Sequence, residues 1–218
     1  MSGSFPIFDA VCEHLVAAIA PSRALDIGAG AGKYGRLLAA AAPQCERVAV
    51  EVDAQHVERF ELRALYQRVD DMDVTQWWRS NIEEAFDLVI AGDCLQQLPK
   101  SEGLDLVNAL LYRSAYLLLV VPEFVVQGAV DGRASAVHRS AWSERDLHWH
   151  DWWAWDNTRS TTLMLLRGYR SAAIALDALV RQLNDANVPL RDYDGSTLVR
   201  PCRLRLVDQP REAVYRPR

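Results

Sequence analysis

The stretch LDIGAGAGKYG, residues 25–35, decides the fold of this 218-residue chain. Its first residues complete a short apolar strand, and an alanine-rich helix is predicted over residues 33–42. The alternating glycines Gly28, Gly30 and Gly32 permit positive φ angles and remove side chains that would block a ligand. The N–H groups that begin the next helix point to the same place. The stretch therefore predicts a ligand-binding turn, for which a simple tight turn is the alternative.

Apolar strands alternate with helices on both sides of this turn, which is typical of a parallel sheet covered on both faces. Later in the chain, two strand-like segments joined by a turn predict an antiparallel hairpin. The predicted helices span residues 8–20, 33–42, 54–65, 101–114 (capped by Ser101) and 171–186, and one helical turn begins at a Ser143 cap. The predicted strands span residues 23–28, 46–52, 68–70, 86–92, 116–121, 148–155 and 161–167, and a further short strand at 202–207 is left open.

These elements predict an α/β fold of the Rossmann-like type. Its sheet is expected to be mostly parallel and seven-stranded, with an antiparallel C-terminal hairpin, and a C-terminal helical extension is expected to follow. We divide the chain into one domain over residues 1–169 and a helix-and-tail extension over residues 170–218 that packs on the same domain.

Asp26 indicates which ligand the turn holds. The glycine spacing at residues 30, 32 and 35 also fits the dinucleotide fingerprint, and that match alone is weak. An aspartate inside an apolar strand costs free energy unless it is satisfied. A methionine-type ligand offers this carboxylate an ammonium group, whereas the pyrophosphate of a dinucleotide would be repelled. The alternative is that Asp26 accepts hydrogen bonds from the loop amides.

LDIGAGAGKYG resembles the first motif of the class I S-adenosylmethionine-dependent methyltransferases, in the form D-x-G-x-G-x-G. The resemblance continues in order to about residue 167, some three quarters of the chain, and points to bacterial enzymes of small-molecule and natural-product type. It implies the class I methyltransferase fold for residues 1–169 and S-adenosylmethionine as the cofactor.

Acidic residues further along resemble the family's other cofactor contacts. VAVEVD, residues 48–53, is similar to the end of the second strand, where Glu51 would hold both ribose hydroxyls and Asp53 is the alternative. Asp73 would accept from the adenine amine and Val74 would donate its N–H, with a neighbouring aspartate, a solvated turn or a weak divalent site left open. The resemblance assigns the cofactor to Asp26, Gly28, Gly30, Gly32, Tyr34, Glu51, Val52, Asp73, Val74 and Asp93.

Two loops are candidates for the chemistry. Asp93 follows the fourth strand, at the end where open α/β sheets bind ligands, and it is a candidate base with loop capping as the alternative. Many relatives carry an acidic residue and a histidine where this chain has Gln96 and Gln97, so no base is expected from those two positions. The long loop after Pro122 is a candidate lid.

HRSAWS, residues 138–143, lies in this second loop and resembles a subgroup of bacterial methyltransferases, many of them from small-molecule or glycan pathways. His138 is a candidate general base, since an unperturbed imidazole titrates near neutrality, and a structural histidine is the alternative. Arg139 and Trp142 are candidate substrate contacts. Five of the seven tryptophans fall within residues 142–155, where they either line a pocket or pack a lid or dimer interface.

Composition excludes several classes of protein. The formal net charge of −5, without a long basic run, argues against a protein whose main work is binding a phosphate backbone. The four scattered cysteines predict neither a disulfide framework nor a zinc site, no metal is expected, and a cytoplasmic location fits. We see no signal peptide, and the longest apolar run, residues 116–122, is too short to cross a bilayer.

The sequence therefore predicts methyl transfer to an oxygen or nitrogen of a small-molecule acceptor, with a glycosylated natural product as a candidate and no membrane partner. A homodimer is left open. Three rival hypotheses remain: an NAD(P)-binding oxidoreductase, a nucleic-acid methyltransferase, and a non-catalytic protein that binds S-adenosylmethionine. A nucleic-acid substrate is disfavoured because Gly92-Asp93-Cys94-Leu95 stands where such enzymes carry an N/D-P-P motif.

Overall fold

The computed structural model describes residues 5–123, 127–128 and 137–208. In chain order the strands are β1 (Arg23–Ile27), β2 (Glu46–Glu51), β3 (Arg68–Asp71), β4 (Phe86–Gly92), β5 (Ser114–Pro122), β6 (Trp152–Asn157), β7 (Thr161–Arg167), β8 (Pro189–Arg191), β9 (Leu198–Pro201) and β10 (Arg205–Asp208). The helices are α1 (Asp9–Ile19), α2 (Lys33–Ala41), α3 (Ala54–Arg59), α4 (Leu62–Leu65), α5 (Val74–Ser80), α6 (Lys100–Leu111) and α7 (Leu176–Ala186). Short 3-10 helices span Pro6–Phe8, Leu95–Gln97 and Glu144–Leu147. None of the described helices has the length and apolarity that a membrane crossing requires.

One eight-stranded sheet organises the fold, in the order β10-β6-β7-β5-β4-β1-β2-β3, while β8 and β9 form a separate ribbon. Strands β1 to β5 pair in parallel, and β7 runs antiparallel to β5 and β6. The predicted Rossmann-like sheet with an antiparallel hairpin is confirmed. The predicted count of seven strands is wrong, because β10 pairs antiparallel with β6 and extends the sheet by one strand.

Side chains of the central strands alternate between two apolar layers. On β5, Leu117, Leu119 and Val121 pack with one cluster, and the residues between them pack with the other. Helices α1, α2 and α7 contribute to one cluster, whereas α5 and α6 contribute to the opposite one. Because both faces are covered, the central strands are mostly apolar, which explains the apolar runs in the sequence.

Several predicted boundaries are wrong for local physical reasons. The helix predicted over 54–65 is broken by Glu61, whose left-handed φ of 51° cannot continue a helix. Helix α6 begins directly after Pro99, so Ser101 lies within it and is not its cap. The strand predicted from 148 begins only at Trp152, whereas the predicted Ser143 cap is confirmed and forms a capping box with Asp146. The helix predicted from residue 171 begins at residue 176, and α5 was not predicted.

The C-terminal strands are tied to the sheet through Asp156 on β6. Its carboxylate is 1% exposed and accepts two hydrogen bonds of 2.8 Å from the Arg200 guanidinium and one of 2.8 Å from the Arg203 N–H. Burial opposes the charged carboxylate, but the hydrogen bonds from Arg200 and Arg203 outweigh it and hold the pKa of Asp156 below its ordinary value. This ion pair therefore fixes β9 and the segment that leads into β10.

Candidate functional site

The carboxyl ends of β1, β2 and β4 lie side by side, because these strands are parallel neighbours. The thiol of Cys94, just after β4, lies in the field of four predicted cofactor carboxylates. Its burial, followed by the charges of Glu51, Asp26, Asp73 and Asp93, raises the pKa of this thiol to about 12. The structure therefore gathers these predicted residues at one edge of the sheet.

Two shallow cavities lie away from this site, at the amino ends of the parallel strands, one lined by Trp152 and Arg167 and the other by Tyr116 and Ile174. The candidate site is therefore defined by its polar groups and glycines.

The backbone N–H groups of the glycine turn donate hydrogen bonds to other protein groups. Gly28, Gly30 and Gly32 have φ angles of 69°, 53° and 76°, as predicted for this turn. The N–H groups of Gly28 and Ala29 donate to the Val50 carbonyl at 2.8 and 3.3 Å, and that of Gly32 donates to the Ala29 carbonyl at 2.7 Å. A Cβ atom at Gly28 would lie 3.0 Å from Cys94 Sγ, so a side chain there has no room. The turn is therefore a fixed cradle of small residues, and Gly28 at its start is exposed.

Glu51 ties this turn to the end of β2. Its side chain is almost buried, with Oε2 accepting from the Gly30 N–H at 2.7 Å and Oε1 from the Asp53 N–H at 2.9 Å. His56 lies beside it, with Nδ1 3.8 Å from Oε1 and Nε2 3.7 Å from Asp53 Oδ2. Each carboxylate oxygen can accept a further hydrogen bond. The carboxylate is thus held in one orientation, as a contact to a vicinal diol requires.

Asp26 is fully buried, and its partner is a residue that the sequence did not indicate. Oδ2 accepts a 2.5 Å hydrogen bond from the Tyr66 hydroxyl, and Oδ1 has no hydrogen-bond partner among the described residues. Burial raises the pKa of Asp26 to about 7, the Tyr66 hydrogen bond opposes this rise, and the Glu51 charge adds to it. The alternative that Asp26 binds the loop amides is wrong, because those amides have other acceptors. The orphaned Oδ1 fits the predicted ammonium contact.

Tyr34 lies below the turn and packs against the backbone. It is 4% exposed, and a Cβ atom at Gly92 would overlap its ring. Burial, followed by nearby charges that include Asp93, raises the pKa of its hydroxyl well above the ordinary value. The structure gives Tyr34 a packing role between α2 and the end of β4, and its place in the cofactor site stays a prediction.

Asp73 lies just after β3 and caps the N-terminus of helix α5. Its Oδ1 accepts from the Thr75 N–H at 2.7 Å and from the Thr75 hydroxyl at 2.5 Å. Val74 is buried in the apolar layer, and Val52 is half exposed beside Glu51. The predicted adenine contacts thus border the site, although Asp73 also has a capping role. The described residues contain no group of three His, Cys, Asp or Glu side chains suited to a metal ion.

Asp93 has a backbone conformation that non-glycine residues rarely adopt. Its φ is 52°, its N–H donates to the Val120 carbonyl at 2.8 Å, and its carbonyl accepts from Gln97 Nε2 at 3.1 Å. Strain of this kind persists only where surrounding contacts impose it, and it clusters at functional sites. Gln97 therefore holds the position of Asp93 in place of the histidine that many relatives carry.

The segment around His138 docks on the loop after β4. The Arg139 and Ser140 N–H groups donate to the Gln96 carbonyl at 2.7 and 3.1 Å, and the His138 N–H donates to Gln127. The His138 side chain is half-buried, and Arg139 is exposed. The structure thus brings this segment next to the Asp93 loop. Residues 124–126 and 129–136 of the predicted lid lie outside the described residues.

Trp142 has a packing role in the structure, and its role as a substrate contact stays a prediction. It is 2% exposed, it packs on Gly103 of α6, and Lys100 Nζ lies 4.0 Å from its ring centre. Its indole N–H donates to the Ser140 hydroxyl at 2.8 Å. A side chain so enclosed anchors the His138 segment.

We expect Trp142→Phe to lower the free energy of unfolding by about 1–2 kcal/mol, because it removes buried ring volume and one hydrogen bond. Trp149→Phe is the matched control, since Trp149 is 89% exposed and its loss should leave stability unchanged. Urea denaturation of both variants measures the difference, and equal midpoints would contradict the packing role.

Three site residues were missed, namely Tyr66, His56 and Cys94, because no motif marks them. The only sequence hint at Tyr66 is Gly35, where a Cβ atom would overlap the Tyr66 ring. The tryptophans of residues 142–155 do not share one environment: β6 begins after Trp149, which is exposed, whereas Trp153 on β6 is buried.

Comparisons with known proteins agree with this geometry. A family model described as a methyltransferase domain matches residues 25–117. No curated protein sequence matches the chain significantly. Solved structures with the same fold include the N-terminal domain of EvdMO1 in the presence of SAH and D-fucose (14% identity, 74% of this chain and 83% of that one, TM-score 0.56).

Two further solved structures come from named bacteria. One is an O-methyltransferase family protein from Burkholderia thailandensis (13% identity, 77% of this chain but only 56% of that one, TM-score 0.56). The other is the N-methyltransferase NodS from Bradyrhizobium japonicum WM9 (15% identity, 74% of this chain and 94% of that one, TM-score 0.53). Residues 25–117 thus match a methyltransferase domain, and the chain shares its fold with solved methyltransferase structures.

Proposed function

We propose that this protein is an S-adenosylmethionine-dependent methyltransferase that acts on an oxygen or nitrogen of a small molecule. The observation that carries the proposal is the use of the turn amides. Dinucleotide sites need free backbone N–H groups at this turn for the pyrophosphate. Here the amides of Gly28, Ala29, Gly30 and Gly32 already donate to Val50, Glu51 or Ala29. The turn has few amides left for a phosphate, which disfavours the NAD(P) hypothesis.

Charge supports the same ligand. The carboxylates of Asp26, Glu51, Asp73 and Asp93 all act on Cys94, so a negative potential covers this edge of the sheet. A cationic sulfonium and an ammonium group are attracted by that potential, whereas a pyrophosphate is repelled. The solved neighbour described with SAH bound shares this fold, which supports the cofactor assignment.

Each group of the cofactor has a matching residue. Glu51 would accept from the ribose hydroxyls, Asp26 Oδ1 from the ammonium group, and Asp73 from the adenine amine. When bound, S-adenosylmethionine supplies an electrophilic methyl group, and the protein's contribution is to hold the acceptor in line with it. Asp93 and His138 lie on the two loops that dock through Gln96, so they are the candidate groups to orient the acceptor or take its proton.

The class of acceptor remains part of the proposal. A hydroxyl-bearing acceptor, with a glycosylated natural product as the leading example, is supported by the solved neighbours described as an O-methyltransferase family protein and as a domain with D-fucose present. An amine acceptor is supported by the neighbour described as an N-methyltransferase.

Turnover separates catalysis from a binding-only role. We would incubate the protein with S-adenosylmethionine carrying a tritiated methyl group and with a panel of sugars, phenols and primary amines. We expect tritium in a hydroxyl or amine product, together with stoichiometric S-adenosylhomocysteine (SAH). Tight cofactor binding with no transfer to any panel member would instead favour the non-catalytic hypothesis.

A further inference from the structure

The pair formed by Tyr66 and Asp26 crosses the fold just below the glycine turn. Tyr66 follows α4, forty residues from Asp26 in sequence, and its hydroxyl lies 2.5 Å from Asp26 Oδ2. The Tyr66 ring is itself buried against Gly35, where a Cβ atom would overlap it. The hydroxyl therefore has a fixed position, and the hydrogen bond fixes which Asp26 oxygen remains for another partner.

That remaining oxygen, Oδ1, is buried without a partner among the described residues. A buried acceptor left unsatisfied carries a desolvation penalty, and the penalty is larger for a charged group. The turn amides, which are the nearest donors in sequence, have other acceptors. A ligand that brings an N–H donor with positive charge would remove the penalty.

The groups around Asp26 come from four elements. They are Tyr66 before β3, Glu51 on β2, Tyr34 on α2 and Cys94 after β4. Within the part of the chain that the structure describes, the side chains that shift the pKa of Asp26 are Tyr66 and Glu51, and neither is a cation. The nearby cation Arg36 instead lowers the pKa of the Tyr66 hydroxyl. Burial raises the pKa of Asp26 to about 7, so near neutral pH this carboxyl is divided between its neutral and ionised forms.

We propose that Tyr66 is a positioning residue that holds Asp26 so that Oδ1 receives the ammonium group of the cofactor, and that this capture releases the proton of those molecules whose Asp26 carboxyl is neutral. The proposal rests on the proposed cofactor. The O–H bond of the neutral Asp26 carboxyl breaks, its proton passes to solvent, and the cofactor ammonium donates a hydrogen bond to the ionised Oδ1. The proposed methyl transfer is unchanged, but cofactor binding becomes coupled to pH through a buried pair.

The direction of the pH dependence follows because the ionised form of Asp26 is the form that binds the cofactor. Affinity rises as pH increases through about 7, where Asp26 loses its proton. Tyr66→Phe removes the hydrogen bond that stabilises the ionised carboxylate, so the pKa of Asp26 rises further. A hydrogen bond to a charged group is worth about one pKa unit or more, so affinity should fall about tenfold below neutral pH and recover at higher pH.

Calorimetric titration of the full chain with SAH between about pH 6 and 9 tests this proposal. The cofactor's own ammonium group loses its proton at alkaline pH, which gives every variant the same alkaline limb. Tyr116→Phe is the matched control, because it removes a buried tyrosine hydroxyl that donates to Ile174 at the opposite edge of the sheet. We expect Tyr66→Phe alone to shift the acid limb upward.

A second measurement uses the unaltered protein, in case Tyr66→Phe does not fold. Titrations at pH 6.5 in two buffers of different ionisation enthalpy count the protons released on binding. We expect release by the wild type and none by Asp26→Asn. Binding by the wild type without proton release overturns this inference alone, as does a uniform loss of affinity in Tyr66→Phe at every pH. Absence of SAH binding by the wild type overturns the proposed function as well.

Discussion

Glu51→Gln lowers the affinity for SAH by about 10- to 100-fold, which corresponds to the loss of a charge-assisted contact worth about 1.5–3 kcal/mol. The glutamine amide places an NH₂ donor where Gly30 or Asp53 now donates to a carboxylate oxygen at 2.7 or 2.9 Å. Two donors then face each other, so the turn moves away from the end of β2. The vicinal diol of the cofactor also loses its charged acceptor.

Glu58→Gln is the matched control for this prediction. Glu58 lies on α3, seven residues from Glu51 in sequence, and its side chain is exposed. Calorimetry with SAH should give the wild-type affinity for Glu58→Gln, and circular dichroism should show both variants folded. Equal affinities for the two folded variants would contradict the assignment of Glu51 to the cofactor.

Asp156→Asn lowers the free energy of unfolding by about 2–3 kcal/mol at neutral pH. Breaking one side of a buried ion pair costs about 3–5 kcal/mol, and we reduce this because the Arg200 side chain is 37% exposed. Asp177→Asn is the control, because Asp177 forms an exposed pair with Arg181 on α7 and its loss should leave the urea midpoint unchanged.

The pH dependence gives this prediction a second test. The pKa of Asp156 is lowered in the folded protein, so its contribution is fully present above the unfolded value and is lost as pH falls through the folded value. The stability difference between wild type and Asp156→Asn should be constant at neutral pH and shrink below about pH 4. A difference that grows in acid, or no difference at neutral pH, would contradict the ion pair's role.

Features encoded in short stretches of sequence were predictable. The glycine turn, the acidic end of β2 and the alternating strands and helices depend on local periodicity and on backbone conformations that glycine favours, and each is found where it was expected. The family resemblance assigns Glu51 to the cofactor, and the structure places it at the end of β2, beside the glycine turn.

Features made by distant residues were not predictable. The hydrogen bond between Tyr66 and Asp26 joins positions forty residues apart, and the ion pair between Asp156 and Arg200 joins positions forty-four apart. In neither pair does the local sequence around one residue indicate the other. Trp142 was assigned to substrate because aromatic side chains suit both pockets and cores, and only its enclosure by Gly103 and Lys100 distinguishes the two.

The central claim is that the turn at residues 28–32 serves a cationic adenosyl amino acid and not a dinucleotide. Calorimetric titration of the full-length protein with S-adenosylmethionine and, separately, with NAD in neutral buffer tests it most directly. We predict saturable one-to-one binding of S-adenosylmethionine and no heat of binding with NAD. Saturable binding of NAD without binding of S-adenosylmethionine would contradict the account.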